Sequence, residues 1–465
     1  MNEHGYSDTV AAVATAAGPA GVAVVRISGP RALAVADRVV RCTGTPPSQR
    51  PAGTFFHAQF ADPRSGDVVD DGLVLVFRAP RSYTGEDAVE LQGHGGGIAP
   101  RQVLQAAFHA GAAPAGPGEF TKRAFLSGRI DLTQAEAVLD LIQAQTERAA
   151  HAAREQAAGG LGRRTEALYG RLTAICADIE AMLDFEEGEL PERFLEERRS
   201  ALTAVAADME ALMATWNEGR LLRGGLLTVI AGRVNAGKSS LLNALLGCQR
   251  AIVSAVPGTT RDTIEEGYSL DGIPLRLTDT AGMRETPGEV EQEGIARARK
   301  ALEAADVVLY VIDGSVPPEA VDRGTLTTLP AQRTILVVNK SDRPGYLGVA
   351  RMAEALQAPA ALVAVSCCAR DEGGVDGVVR ALAAKIAAAA GPQHDGVAVG
   401  QRHLAELRHA QASLRDGAAL LRDSESLVLA AAPLRLAAEA LGRITGRVYS
   451  FDLLDTVFSR FCVGK

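Results

Sequence analysis

The sequence predicts a multidomain α/β protein: an N-terminal α+β domain, an α-helical bundle, and a nucleotide-binding domain on a mostly parallel sheet inserted between the two halves of that bundle. Three observations predict it. The chain has 465 residues, too many for one hydrophobic core when domains typically run to about 100–200 residues. Helix-period apolar patterning lies on both sides of a stretch in which continuous apolar runs alternate with helix-like segments, the pattern of strands buried on both faces. A glycine-rich phosphate-binding string closes the first of those runs.

The elements follow in order. Residues 1–118 carry short β-like runs (Val22 to Ile27, Leu73 to Phe77, Ala88 to Leu91) broken by GPAG at 18–21 and GHGGG at 93–97, strands separated by turn chemistry. From 119 to 222 apolar residues recur three and four apart, as in Ala137, Leu141 and Ala144, or Leu168, Leu172 and Ile175, the spacing of a helix face. Between 223 and 385 the runs LLTVIAG, ADVVLYVID, TILVVNK and ALVAVS read as buried parallel strands. After the loop-like GPQHDG at 391–396 helical periodicity returns, so 386–465 is expected to complete the bundle.

Composition narrows the function classes. The chain is 47% hydrophobic and 22% charged, which is globular and not disordered. Its net charge of −8 excludes a global basic field for nucleic acid, so any such partner needs a local patch or a second protein. The six cysteines (Cys42, Cys176, Cys248, Cys367, Cys368, Cys462) form no CxxC pair, which argues against a zinc site or disulfide framework and for a reducing cytoplasm. The start of the chain lacks signal-peptide character, and no apolar stretch is long enough for a membrane span. A cytoplasmic protein without stable membrane insertion is expected.

The chemistry concentrates between 231 and 370. LLTVIA leads into Gly232-Arg233-Val234-Asn235-Ala236-Gly237-Lys238-Ser239, a GxxxxGK[ST] string between strand and helix. Its backbone N–H groups cradle a phosphate, Lys238 adds charge and Ser239 can ligate Mg²⁺. Asp279-Thr280-Ala281-Gly282 follows another strand-like run and supplies an acid near the metal. Asn339-Lys340-Ser341-Asp342 ends a third run. There the Asp342 carboxylate can accept from N1–H and the exocyclic amine of guanine, whereas adenine offers an acceptor to that carboxylate. Together these read as a guanine-nucleotide hydrolase.

Thr260, in Gly258-Thr259-Thr260-Arg261-Asp262, is placed to close on Mg²⁺ and the γ-phosphate. The residue after DTAG is Met283, which cannot orient a water as a Gln would. Hydrolysis therefore needs another arrangement, and Asn235 either caps the phosphate loop or ligates a monovalent cation. Glu291 reads locally as an acid at a helix start. Cys462 reads as a small apolar residue beside Phe458 and Phe461, and Cys367 and Cys368 as small buried or loop residues.

Longer strings carry a family resemblance: VVRISGP at 24–30, YTGEDAVELQGHGG at 83–96, PGEFTKRAFLSGRIDLTQAEAVLDLI at 117–142, AGRVNAGKSSLLNALLG at 231–247, PGTTRD at 257–262, DTAGMRE at 279–285 and FCVGK at 461–465. Over essentially its full length the chain resembles the MnmE (TrmE) family of tRNA-modification GTPases. The resemblance implies a Ras-like P-loop domain inserted in the bundle and an N-terminal domain like the folate-binding domain of aminomethyltransferases. It also implies a homodimer and a heterotetramer with a flavin-dependent partner. That assembly adds an aminomethyl or carboxymethylaminomethyl group to C5 of the wobble uridine of certain tRNAs, with a 5-formyl or 5,10-methylene tetrahydrofolate as one-carbon source.

The same resemblance implies residue roles. GTP is held by Asn235, Ala236, Gly237, Lys238, Ser239 and Ser240, by Ser254, Ala255, Val256, Pro257, Gly258, Thr259 and Thr260, by Asp279, Thr280, Ala281 and Gly282, and by Asn339, Lys340, Ser341, Asp342, Ser366 and Cys367. K⁺ is bound by Asn235, Ser254, Val256 and Thr259 in place of an arginine finger, and Mg²⁺ by Ser239 and Thr260. Glu291 orients the attacking water through a second water. Folate is held by Arg26, Glu90, Arg129 and Lys465, and Cys462 acts in the one-carbon chemistry. The sequence departs from the family pattern at Arg129, where Lys is expected, at Val234, at Val463, and in the lengthened loop Ser366-Cys367-Cys368-Ala369-Arg370.

Overall fold

The computed structural model describes residues 8–183, 193–248, 266–279, 299–371, 373–391, 398–422 and 426–465. The chain divides into two compact units, one of residues 1–139, 157–206 and 406–465, the other of 140–156 and 207–405.

The first unit holds a seven-stranded sheet in the order β3-β4-β5-β6-β2-β1-β7. Its strands are β1 (Val10–Val13), β2 (Val22–Ser28), β3 (Val40–Arg41), β4 (Thr54–Ala61), β5 (Val68–Phe77), β6 (Ala88–His94) and β7 (Ala113–Pro114). Alternation sets the faces. Val25, Ile27, Val74, Val76, Val89 and Leu91 turn inward and form a core with helices α1 (Ala32–Val39) and α2 (Ala99–His109). Residues one step out of phase, including Arg26 and Glu90, turn to the other face. The antiparallel register sets Arg26 directly opposite Glu90. Helix α3 (Glu119–Leu126) packs on the helix Phe451–Phe458 through Phe125, Val457, Phe458 and Phe461.

The C-terminal tail is tied back to the start of α3. Val463 bridges to Pro117, and the N–H of Phe120 donates to the Lys465 carbonyl at 3.1 Å. Gly464 has φ +101°, and a Cβ there would stand 2.2 Å from the Val13 carbonyl oxygen, so only glycine allows this seating.

The second unit is built on a six-stranded sheet in the order β13-β12-β11-β8-β10-β9. Its strands are β8 (Leu226–Gly232), β9 (Glu266–Leu270), β10 (Ile273–Asp279), β11 (Val307–Asp313), β12 (Thr334–Asn339) and β13 (Val363–Ser366). Every pairing is parallel except β9 with β10. Two apolar clusters cover the two faces, one through Ile230, Leu275, Leu309 and Val337, the other through Val229, Val308, Tyr310 and Leu336. This is why the strands read as unbroken apolar runs. β8 lies between β10 and β11, and such a reversal of strand order opens a crevice at the carboxyl ends.

Helices α4 (Leu132–Gln143), α5 (Glu147–Ala157), α6 (Gly160–Leu183), α7 (Phe194–Ala214) and α8 (Trp216–Gly224) occupy the stretch whose spacing predicts helices. Not all of them pack with one another. Ala149 and Ala152 of α5 and Leu221 and Leu222 of α8 share the apolar cluster of Leu226 and Leu275, so these helices belong to the body of the parallel sheet. α6 instead packs along the helix Leu427–Thr445 in the first unit.

Candidate functional site: a phosphate loop and a base-reading corner

β8 delivers the chain to the sheet's carboxyl edge at Gly232. There φ is +141°, and a Cβ would meet the Val311 carbonyl oxygen at 2.1 Å. At Gly237 φ is +98° and a Cβ would stand 2.2 Å from Asn339 Nδ2. Both glycines are demanded by conformation and by close neighbours. Asn235 takes a left-handed φ of 64°, which Asn tolerates better than most side chains. Helix α9 (Lys238–Cys248) then begins, and the first N–H groups of a helix so placed can receive an anion at the loop. Lys238 folds over the loop, its Nζ donating to the Arg233 carbonyl at 2.7 Å.

The strand-end motif of β12 is bonded to this loop. Asn339 Nδ2 donates to the Ala236 carbonyl at 3.0 Å, and its Oδ1 accepts from the Ala369 N–H at 3.3 Å. Lys340 donates to the Asn235 carbonyl at 2.6 Å and pairs with Asp313 at 2.5 Å. Burial raises the Asp313 pKa, but the bonds from Lys340 and Ser315 outweigh it and hold the carboxyl below its ordinary range. Asn339 and Lys340 thus fix three loops to one another.

The cavity they frame has a volume of about 770 Å³, within the range of small-molecule sites. Asn235, Gly237, Lys238, Ser239 and Ser240 line one part of it. Asp342, Arg343, Cys368, Ala369 and Arg370 line another, with Asn339 and Lys340 also on the wall. Residues of the glycine-rich string and of the Asn-Lys-Ser-Asp motif therefore share one cavity.

The base-side loop differs from the expectation. Ser366 and Cys367 do not line the cavity; Cys368, Ala369 and Arg370 do. The reason is register: Ser366 is the last residue of β13, paired with Val338, and the Cys367 N–H donates to the Val338 carbonyl at 2.9 Å. Cys367 is buried, and burial pushes its thiol up to about 12, leaving it a packing residue. Ser341 is likewise turned to the loop, its N–H donating to the Cys367 carbonyl at 3.1 Å. Ala236 is buried beneath the phosphate loop. Gly232, Val234 and Arg343, not among the residues assigned to GTP from the sequence, join the lining. Counting the extra loop residues back from Ala369-Arg370, instead of forward from Ser366, points to the residues that line the cavity.

Asp279 closes β10. Ser254, Ala255, Val256, Pro257, Gly258, Thr259, Thr260, Thr280, Ala281, Gly282, Met283 and Glu291 lie outside the described residues.

A second constellation lies on the other face of the N-terminal sheet, where Phe120 of α3 packs against Val10 and Ala12. Arg26 pairs with Glu90 at 2.9 Å, and its guanidinium sits 5.6 Å from the Tyr83 ring centroid and 5.5 Å from that of Phe120. Tyr83 hydroxyl is 2.9 Å from Thr121 Oγ1, and burial raises its pKa. The loop bearing Tyr83 is held by Arg123, only 1% exposed, which donates to Glu86 at 3.2 Å and to Glu119 at 2.6 Å. Arg123 is a structural anchor that the sequence did not single out. Arg129 donates to the Pro80 carbonyl at 3.3 Å, at the base of the same loop. Lys465 reaches the cluster through its backbone bond to Phe120, and Cys462 is exposed on the seated tail.

Among the described residues no helix is long and apolar enough to cross a membrane. The family description "GTP-binding protein TrmE N-terminus" matches residues 9–129, and "MnmE helical domain" matches residues 132–462. Curated proteins called tRNA modification GTPase MnmE align over nearly the whole chain. That of Geobacter metallireducens is 42% identical over 98% of this chain and 99% of its own length. That of Symbiobacterium thermophilum is 44% identical over 98% and 99%, and that of Synechococcus elongatus 42% over 99% and 100%. The G domain of the T. maritima FeoB iron transporter matches 36% of this chain at 24% identity and a TM-score of 0.26, too distant to bear on the site. With both family descriptions matched in sequence order and relatives aligned from end to end, the chain belongs to the MnmE family of tRNA modification GTPases.

Proposed function

We propose that this chain is a K⁺-activated, Mg²⁺-dependent GTP hydrolase that acts in tRNA wobble-uridine modification. With a flavin-dependent partner it adds an aminomethyl or carboxymethylaminomethyl group to uridine C5, taking the one-carbon unit from a tetrahydrofolate. The observation that carries the GTPase part is the shared cavity: Lys238 and Ser239 on one stretch of wall, Asp342 on another, and Asn339 and Lys340 bonded to the phosphate loop. The nucleotide domain spans about 223–385, between helical segments 119–222 and 386–465, and follows the folate-binding and dimerisation domain of 1–118.

In this reading the backbone amides of 235–239 and the Lys238 ammonium stabilise charge on the transferring phosphoryl group. The donors offered to metals are hard oxygens, which suits K⁺ and Mg²⁺. Ser239, with Thr260, would hold Mg²⁺; Asn235, with Ser254, Val256 and Thr259, would hold K⁺. When bound, these cations supply positive charge against the phosphates. Glu291 orients the attacking water and takes up the role that Met283 cannot perform.

The folate reading rests on Arg26, Glu90, Arg129 and Lys465. A carboxylate pairs with the diamino edge of the pterin, and basic groups suit its glutamate tail. Gln92 lies 3.5 Å from the second Glu90 oxygen, so that oxygen is less committed than the one paired with Arg26. Cys462, on the tail beside this face, is assigned to the one-carbon chemistry as nucleophile or proton carrier. Calorimetric titration of the full-length dimer with 5-formyltetrahydrofolate tests the site. Binding in the micromolar range is expected, weakened at least about tenfold, or ~1.4 kcal/mol, by Glu90→Ala. Equal affinity in the two proteins would remove Glu90 from the site.

A further inference from the structure

Strands β9 and β10 are joined by the two-residue turn Asp271-Gly272, with φ of 53° and 75°, the tight hairpin geometry of two left-handed residues. Both carbonyls of this turn are held by the start of α5. Thr146 Oγ1 donates to the Gly272 carbonyl at 2.7 Å and accepts from the Ala149 N–H at 3.1 Å, so one hydroxyl caps α5 and grips the hairpin. Arg148 donates to the Asp271 carbonyl at 3.2 Å. Its other nitrogen pairs at 2.6 Å with Glu218, a nearly buried carboxylate on α8. The Arg148 stem lies against the turn, where a Cβ on Gly272 would stand 2.9 Å from Arg148 Cβ.

α5 and α8 are themselves braced. Arg223, at the end of α8, pairs with Asp140 at 2.6 Å and donates to Gln156 at 3.1 Å and to the Ala398 carbonyl at 2.7 Å. The turn, with Asp271 exposed, is therefore clasped from one side by a crosslinked pair of helices.

The hairpin's other end is at the nucleotide edge of the sheet. β10 terminates at Asp279, registered against Ile230, two residues before Gly232. Asp279 is the seventh residue of strand beyond the turn, about 23 Å along a stiff ladder at ~3.3 Å per residue. Among the described residues β9 pairs with β10 alone, so its placement there depends on this hairpin.

We propose that Thr146 and Arg148 are positioning residues for GTP hydrolysis. By clasping the β9–β10 turn they set the axial placement of the hairpin, and through it the position of Asp279 at the metal and phosphate end. The proposal rests on the GTPase reading given above.

The test uses the full-length protein with Arg148→Ala, Thr146→Val and, as the conservative control, Arg148→Lys. Steady-state GTP turnover, equilibrium binding of a fluorescent GDP analogue and amide exchange over 266–279 are measured. The phosphate loop and the base-side loop touch neither residue, so nucleotide affinity should stay within about twofold while kcat falls about fivefold or more in the Ala and Val variants. Exchange should quicken over 266–279 and stay unchanged over 232–239, and Lys should restore part of kcat. Glu218→Gln, which loosens Arg148 without touching the hairpin, should lower kcat in the same sense if Thr146→Val fails to fold. Unchanged kcat in Arg148→Ala overturns the proposal, as does loss of affinity and protection throughout, which marks a merely structural contact. Absence of GTP turnover in the wild type overturns the GTPase reading instead, and is distinguishable because the variants are not needed to see it.

Discussion

Replacing Asp342 by asparagine lowers GTP affinity at least about 100-fold, ~2.7 kcal/mol, and leaves ATP affinity where it was. The carboxylate shares the cavity wall with Cys368 and Ala369, and guanine presents it with two donors. Asparagine keeps the volume but turns one acceptor into a donor that faces the guanine N–H groups, leaving polar groups buried without partners, a cost of a few kcal/mol. Xanthosine triphosphate, which carries a carbonyl where guanine carries its amine, should bind the variant better than GTP does. Competition titrations with GTP, ATP and xanthosine triphosphate measure all of this. A variant that binds GTP as the wild type does would place base recognition elsewhere.

Turnover of GTP in K⁺ should exceed that in Na⁺ by at least about tenfold, ~1.4 kcal/mol in barrier, if the proposed K⁺ site operates. Asn235→Ala removes the difference while nucleotide binding stays within about threefold. The expectation comes from the exposed side chain of Asn235 on a loop whose backbone is fixed by Lys340, and from Met283 at the position where a water-orienting glutamine would act. Alanine at a left-handed φ adds strain, so Asn235→Gly, which relieves it, serves as the control. Phosphate release in matched KCl and NaCl is the assay. Equal rates in both salts for the wild type would remove the cation from the mechanism.

What could be read from the sequence was whatever depends on near neighbours in the chain. The phosphate loop is such a case: Gly232 and Gly237 are needed where the chain leaves β8 and enters α9, and the local string carries that requirement. The buried parallel strands are another, since burial on both faces makes each one a continuous apolar run. Pairings across the fold were not legible by spacing. Arg26 and Glu90 are 64 residues apart and meet through the β2–β6 register, so each alone reads as an ordinary charge on a half-buried strand. Apolar periodicity in α5 and α8 marks a buried face but does not name its partner, which proved to be the sheet of the nucleotide domain. Reading the motif forward from Ser366 does not reach the cavity wall, because Ser366 ends β13 and the lining begins at Cys368.

The most direct test of the function is the nucleoside content of tRNA from a strain that lacks this protein, analysed by mass spectrometry and then with the gene restored. Loss of the C5-modified wobble uridine is expected on deletion, with recovery by the wild-type chain. Lys238→Ala should fail to restore it because the phosphate site is disabled. Cys462→Ser should fail while retaining GTP turnover within about twofold, ~0.4 kcal/mol in barrier, as expected of a residue proposed to serve the one-carbon step and not hydrolysis. An unchanged wobble-uridine profile in the deletion strain would contradict the assignment of this GTPase to tRNA modification.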